Sequence, residues 1–179
     1  MKTTVLNKLF EMVLLSDLQK DLYSDCLEFG FKKKFSCCQA IYALRSVVEH
    51  YTRSGLTVTV CALDISKAYD RVDQYALLNL LMDRKVSKCF INIMLNWFEK
   101  SCAYVRWGNA ISFVFSISAG VRQGGLLSPL LFAVYMDVLI NRLQKVGFGC
   151  KLVQKFYGCL LYADDIVLLA HSLNAIRQM

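Results

Sequence analysis

Apolar residues recur at helical spacing over residues 5–27 (Val5, Leu6, Leu9, Phe10, Val13, Leu14, Leu18, Leu22), which predicts an opening helix. Phe29-Gly30-Phe31 breaks the pattern, and Lys32-Lys33-Lys34 follows. Ser36 is placed to cap a second helix running to about Arg53, with Ile41, Leu44, Val48 and Tyr51 on one face and Gly55 past its end. The β-branched run LTVTVCALD (56–64) reads as a strand. Its period of two lines up Leu56, Val58, Val60, Ala62 and Asp64 on one face and leaves a carboxylate at the strand's exit. Helical patterns follow at about 73–84 and 87–100. Residues 102–117 then read as a hairpin with its turn at Gly108-Asn109. A glycine-containing loop, AGVRQGG, spans 119–125. Ser128-Pro129 opens a helix that runs to about Val146. LLYADDIVLLA (160–170) reads as two short apolar strands around a polar tip, with a brief helix after it. The expected fold class is compact α+β.

Composition narrows this picture. Of 179 residues, 56% are hydrophobic and 20% charged, which excludes a disordered chain. That share is also high for a complete domain, and fits a piece whose apolar surfaces are meant for further parts. No apolar run is long enough for a spanning helix, and the first residues lack the apolar stretch of a secretory signal. The expectation is therefore an intracellular protein, nuclear or cytoplasmic, with no membrane partner. The eight cysteines form no C-x-x-C pair, and only two histidines are present. This predicts reduced thiols acting as small hydrophobes, not a disulfide framework or a zinc site. The net charge of +7 favours an anionic partner such as nucleic acid.

Three acids stand out by their setting. Asp64 ends an apolar strand, and Asp164 and Asp165 sit at the tip of an apolar hairpin. An aspartate at a turn is commonly just a solvated turn residue. Carboxylates gathered beside a hydrophobic sheet, however, repel one another and are costly to desolvate, and a divalent cation removes both penalties. Oxygen donors with few histidines favour Mg²⁺, with Mn²⁺ as the alternative. Two such ions would stabilise the attacking and leaving oxygens of a phosphoryl transfer.

LDISKAYD (63–70), RQGGLLSPLLF (122–132) and YADDIVLLA (162–170) carry a resemblance. An exact YADD would arise by chance in a chain this long roughly once in a thousand, from average residue usage. With these three blocks in order, the sequence resembles the reverse transcriptases of non-LTR (LINE-type) retrotransposons, over about Phe29 to Ala170 and more loosely the first helix.

The resemblance implies the fingers and partial palm of a right-hand polymerase: an antiparallel sheet packed on helices, with the thumb absent. Its segments would be 1–55 (N-terminal helical, fingers), 56–72 (palm strand with the first catalytic block), 73–122 (fingers helices and hairpin) and 123–179 (palm helix and catalytic hairpin). Asp64, Asp164 and Asp165 would be the catalytic metal ligands, with the Ile65 carbonyl beside them and two Mg²⁺ ions as cofactor. Tyr69, five residues beyond Asp64, would be the gate that excludes a ribose 2′-OH, although a tyrosine is more commonly a core aromatic. Gln123, Gly124 and Lys32 would contact the nucleotide. Lys32 stands where the family usually has arginine, which keeps the charge but loses the bidentate fork. Arg122, Lys33 and Lys34 would contact nucleic acid or, alternatively, form solvated loops. Implied partners are an RNA template, a DNA primer and a deoxynucleoside triphosphate, with thumb and endonuclease regions as further natural partners. The chain stops nine residues after Ala170, so a truncated element is expected. The alternative is a catalytically incompetent remnant that binds nucleic acid nonspecifically. A metal-dependent nuclease or phosphatase on another fold would explain the acids but not Tyr69 or the RQGG block.

Overall fold

The computed structural model describes residues 5–18, 22–32 and 35–179. In chain order the elements are α1 (Val5–Leu18), α2 (Cys37–Arg53), β1 (Thr59–Asp64), a 3-10 turn (Ala68–Arg71), α3 (Gln74–Asp83) and α4 (Lys88–Glu99). They continue with β2 (Cys102–Ala103), β3 (Arg106–Trp107), β4 (Ala110–Ile111), β5 (Phe115–Ser116), α5 (Ser128–Val146), β6 (Lys151–Leu152), β7 (Lys155–Phe156), β8 (Cys159–Tyr162), β9 (Asp165–Ala170) and α6 (Leu173–Gln178). Two compact units result, each drawn from two stretches of sequence: Met1–Tyr23 with Tyr69–Leu131, and Ser24–Ala68 with Phe132–Met179.

In the first unit, α3 and α4 pack together as a helical pair. Asp73 caps α3 by accepting from the amides of Tyr75 and Ala76, and Ser87 caps α4 by accepting from Phe90. Leu77, Leu81, Phe90 and Met94 are buried, as are Leu14 and Leu18 of α1. The expected hairpin is present as a nested ladder, β2 with β5 and β3 with β4, turning at Gly108 with φ +59°. Its side chains face solvent, with Trp107 85% exposed and Phe113 97% exposed. The excess of apolar residues in the composition is therefore partly a surface property.

The second unit is built on a three-stranded antiparallel sheet in the order β1-β9-β8. Helix α2 lies against β8 and β6, and α6 against β9 and β1. Ser36 caps α2 in a reciprocal capping box with Gln39. The central strand β9 buries Ile166, Leu168, Leu169 and Ala170, while the edge strand β1 keeps Val60, Ala62 and Asp64 exposed. The free edge of β8 is covered by residues 27–29: Leu161 N donates to Leu27 O at 2.9 Å, and Phe29 N donates to Leu161 O at 2.8 Å. The opening helix does not run on to residue 27, because residues 26–27 form a turn closed by Glu28 N donating to Asp25 O at 3.1 Å.

Two other expectations change. The β6–β7 hairpin was not foreseen, because two-residue strands carry no periodicity and its turn places Val153 and Gln154, not glycines, at positive φ. The cysteines are all free, as expected. Cys150 and Cys159 are buried hydrophobes, but Cys26, Cys37, Cys38, Cys89 and Cys102 are exposed. Neighbouring apolar residues do not settle which way one small side chain turns. No helix among the described residues is long and apolar enough to cross a membrane.

Candidate active site

The sheet register brings the acids together. β1 runs against β9 from Thr59↔Ala170 to Asp64↔Asp165. Directly opposed residues of an antiparallel pair send their side chains to one face, with Cβ atoms about 4.5–5.5 Å apart. Asp64 and Asp165 therefore share a face at the end of the sheet. One residue further, Ile65 N donates to Asp164 O at 3.4 Å, so the bend carrying Asp164 is tied to the exit of β1. The Ile65 carbonyl accepts from Ala68 N at 3.2 Å, and a carbonyl retains a second lone pair. Asp64 and Asp165 are exposed, and Asp164 and Ile65 are half-buried. An apolar groove of about 360 Å³ between α2 and the sheet has Asp64 and Asp165 among its lining residues.

Among the described residues no three acidic, histidine or cysteine side chains converge into a ready-made metal cage. What the fold supplies is the backbone positions of three aspartates and the Ile65 carbonyl at one end of the sheet. That donor set suits a hard cation that keeps several waters and completes its shell from a substrate phosphate.

The bend between β8 and β9 has two residues, Ala163 and Asp164. Ala163 has φ +57°, a conformation that costs a residue with a Cβ about 1–3 kcal/mol and persists only where the surroundings fix it. The surroundings here include Glu28. Its Oε1 accepts from Gly30 N at 2.7 Å and from Ala163 N at 3.4 Å. Glu28 is fully buried, and its Oε2 has no hydrogen-bond partner among the described residues. Burial pushes its carboxyl up to about 7, against the lowering effect of the two amides and the Lys32 ammonium, while Asp137 adds to the rise.

Lys32 is held within the same cluster. Its ammonium donates to the carbonyls of Ser24 (3.0 Å) and Asp25, and burial lowers its pKa although Asp137, Glu28 and Asp25 oppose the change. Asp137, 3% exposed on α5, accepts from Asp25 N at 2.8 Å. Lys32 thus ties residue 32 back to the main chain at Ser24 and Asp25. Lys33 and Lys34 lie outside the described residues.

Tyr69, Arg122, Gln123 and Gly124 belong to the first unit. There the 3-10 turn and the 119–125 loop are laced together. Val121 N donates to Tyr69 O (2.8 Å), Gly120 N to Val72 O (2.7 Å) and Gln74 Nε2 to Gly120 O (2.9 Å). Gly120 sits at φ +87°, and a Cβ there would stand 2.9 Å from Asp70 Cα and from Tyr69 O, so only glycine fits. Gln123 is exposed and reaches Asp70 Oδ1 at 3.5 Å. The Arg122 guanidinium lies 5.3 Å from the centre of the Trp97 ring. A cavity of about 210 Å³ beside the loop includes Asp70, Trp97, Arg122 and Gln123 in its lining. On α1, the buried Glu11 accepts from the amides of Leu126 and Leu127 (3.3 Å), placing a carboxylate at the start of α5.

Sequence reasoning passed over Glu11, Glu28 and Asp137. Each is a lone acid within an apolar stretch (LFEMV, CLEFG, YMDVL), a pattern that reads equally as a polar interruption of the surface. Only the buried position of each tells the two apart.

The fold is mixed α+β, with Asp164 and Asp165 at the bend of an antiparallel hairpin and Asp64 at the end of the neighbouring strand. Comparison with known proteins narrows this. Residues 2–179 match the model of the family described as reverse transcriptase (RNA-dependent DNA polymerase), and the chain belongs to that family. Its relatives are polyproteins of non-LTR retrotransposable elements. It is 26% identical over 169 residues to the Pol polyprotein of the type-2 retrotransposable element R2DM of Drosophila melanogaster, covering 94% of this chain and 16% of that protein. It is 31% identical over 123 residues to the R2 polyprotein of Nasonia vitripennis, covering 69% of this chain and 12% of that one. The 149 kDa protein of transposon TX1 of Xenopus laevis matches at 27% over 135 residues, covering 74% of this chain and 10% of that protein. The chain thus spans a sixth or less of these relatives' length. Among solved structures, apo telomerase from Candida tropicalis, truncated from its C-terminal domain, superposes with a TM-score of 0.64 at 15% identity, over 97% of this chain and 35% of that one. Telomerase from Candida albicans in complex with a fragment of telomeric RNA gives 0.65 at 14%, over 97% and 31%. The fold is therefore that of the fingers and palm of these enzymes.

Proposed function

We propose that the chain carries the nucleotidyl-transfer site of an RNA-directed DNA polymerase, which extends a DNA primer on an RNA template with deoxynucleoside triphosphates. The observation that carries this reading is the Asp64↔Asp165 register with Asp164 tied to Ile65. Asp64, Asp164, Asp165 and the Ile65 carbonyl would hold two divalent ions, which when bound neutralise charge on the α-phosphate and acidify the primer 3′-OH. The remaining residues bind and orient. The 69–72 turn and the 119–125 loop are fixed to each other by main-chain bonds, so Tyr69, Gln123 and Gly124 belong to one preorganised surface of the first unit. Arg122 offers a cation for the template or primer backbone, held by Trp97 until it is drawn away. Fingers would comprise 1–55 and 73–122, and palm 56–72 and 123–179.

The test is primer extension on an RNA template with Mg²⁺. Incorporation of deoxynucleotides that stops on chelation is expected. A folded protein that binds the primer–template but adds nothing would instead support a nucleic-acid-binding remnant. For the sugar gate, Tyr69→Ala is expected to raise ribonucleotide incorporation relative to deoxynucleotide by at least about tenfold, the scale of one lost steric contact. Unchanged sugar discrimination in single-nucleotide kinetics would remove Tyr69 from that role.

A further inference from the structure

The catalytic hairpin of a polymerase palm must hold its two acids still, yet here its bend rests on a left-handed alanine in place of glycine. The two strands fix the bend from below through the Tyr162↔Asp165 pair, and β1 fixes one side through Ile65 N. The amide of Ala163 is held from elsewhere. Residues 27–29 run parallel along β8, and their main-chain bonds to Leu161 set the side chain of Glu28 beneath the tip of the hairpin. Its Oε1 then meets two amides, Gly30 and Ala163, that do not otherwise meet.

Two independent features show how closely this corner is fitted. A Cβ on Gly30 would stand 2.7 Å from Ala163 N and 2.8 Å from Glu28 Oε1, so the 28–30 segment approaches the bend as closely as backbone allows. The second oxygen, Oε2, is buried with no hydrogen-bond partner among the described residues. Buried acceptors without partners are rare, and one retained here indicates a side chain kept for its first oxygen.

We infer that Glu28 is a positioning residue for the nucleotidyl-transfer reaction: by bridging the amides of Gly30 and Ala163 it fixes the left-handed bend and so the carboxylates of Asp164 and Asp165. This rests on the polymerase reading for its kinetic consequence, but not for its structural one. Glu28 touches neither substrate nor metal. Its effect passes through the bend and falls on the turnover step, not on nucleotide binding.

Glu28→Gln, Glu28→Leu and Gly30→Ala separate the possibilities. Gln keeps a carbonyl oxygen that can accept from both amides, Leu removes the acceptor at similar volume, and Gly30→Ala drives the bridge apart while leaving the carboxyl in place. Two readouts apply to each variant that folds: primer-extension kcat and KM for the nucleotide, and amide hydrogen exchange at Ala163 by NMR. Glu28→Gln is expected to stay within about threefold of wild type in both. Glu28→Leu and Gly30→Ala are expected to lose at least tenfold in kcat with KM little changed, and to exchange the Ala163 amide at least tenfold faster, while the Leu161 and Leu169 amides keep their protection. If Glu28→Leu does not fold, the contrast between Glu28→Gln and Gly30→Ala carries the test. Ala163 exchange or kcat at the wild-type level in a folded Glu28→Leu or Gly30→Ala protein would overturn the inference, as would a Glu28→Gln protein as impaired as Glu28→Leu. A wild type without polymerase activity would refute the proposed function alone, because the exchange measurement still decides whether the bridge holds the bend.

Discussion

Replacing Asp64, Asp164 or Asp165 singly with alanine is expected to abolish primer extension, a loss of at least about 10²–10³-fold of the kind that follows removal of one preorganised group at the reacting centre. Each acid contributes from a different backbone position, Asp64 from the end of β1, Asp165 from the start of β9 and Asp164 from the bend, so none can stand in for another. All three are at least partly exposed, and none is a buried hydrogen-bonding partner in the core. The substitutions should therefore leave the thermal unfolding midpoint within a few degrees of wild type, since exposed positions change stability by less than about 0.5 kcal/mol. Glu49, an exposed acid on α2 paired with Arg45 and Arg53, provides the control. Glu49→Ala is expected to keep full activity. Steady-state extension assays with unfolding curves on each variant check the claim. An active Asp164→Ala or Asp64→Ala protein would refute the site, and an inactive Glu49→Ala protein would show that the assay reports general damage.

Glu28→Gln is expected to make the protein more stable than wild type at alkaline pH, with a gap that closes as pH falls. The unfolded chain gives up the Glu28 proton near the ordinary value of 4.5, whereas the folded chain holds it to about 7. Between these values the folded state binds more protons than the unfolded state, so stability falls as pH rises. Below about pH 4.5 the carboxyl is neutral in both states and carries no penalty. Above pH 7 the full difference applies, on the order of 3 kcal/mol at about 1.4 kcal/mol per unit. Glutamine makes the same amide contacts without a charge to bury. The difference between the two denaturant-unfolding free energies cancels the titrating groups that do not interact with Glu28, and leaves Glu28 with its coupling to Lys32 and Asp137. It is expected to grow by roughly that amount from pH 4.5 to pH 8. A difference that stays flat across this range would mean that the carboxyl is ionised at its ordinary pH, and that the cluster with Lys32 and Asp137 does not isolate it from water.

The parts of the molecule legible in the sequence share a physical basis. Helices α2 to α5 are legible because apolar residues recur at helical spacing, and at α2 the capping residue Ser36 agrees with that spacing. The strands of the central sheet are legible because β1 is an apolar run ending on Asp64 and β9 one starting from Asp165, and the resemblance supplied the pairing of these ends. The bridge of residues 27–29 to Leu161 was not legible, since it depends on the edge of β8, a partner more than 130 positions later in the chain. The surroundings of Lys32 were not legible for the same reason. Its charge suggested solvent or phosphate, but the carbonyls of Ser24 and Asp25 and the buried acids near them appear only when α5 and β8 are in place. Glu28 carries no motif of its own. What distinguishes it is burial beneath the bend, which one-dimensional spacing does not encode.

Paramagnetic broadening by Mn²⁺ tests most directly whether the three aspartates form one cation site. In the ¹⁵N-labelled protein, substoichiometric Mn²⁺ is expected to broaden the amides of residues 64–66 and 163–166 together, and Asp64→Asn is expected to relieve the broadening on both strands at once. Broadening confined to one of the two segments, or left intact at 163–166 by Asp64→Asn, would contradict a shared site.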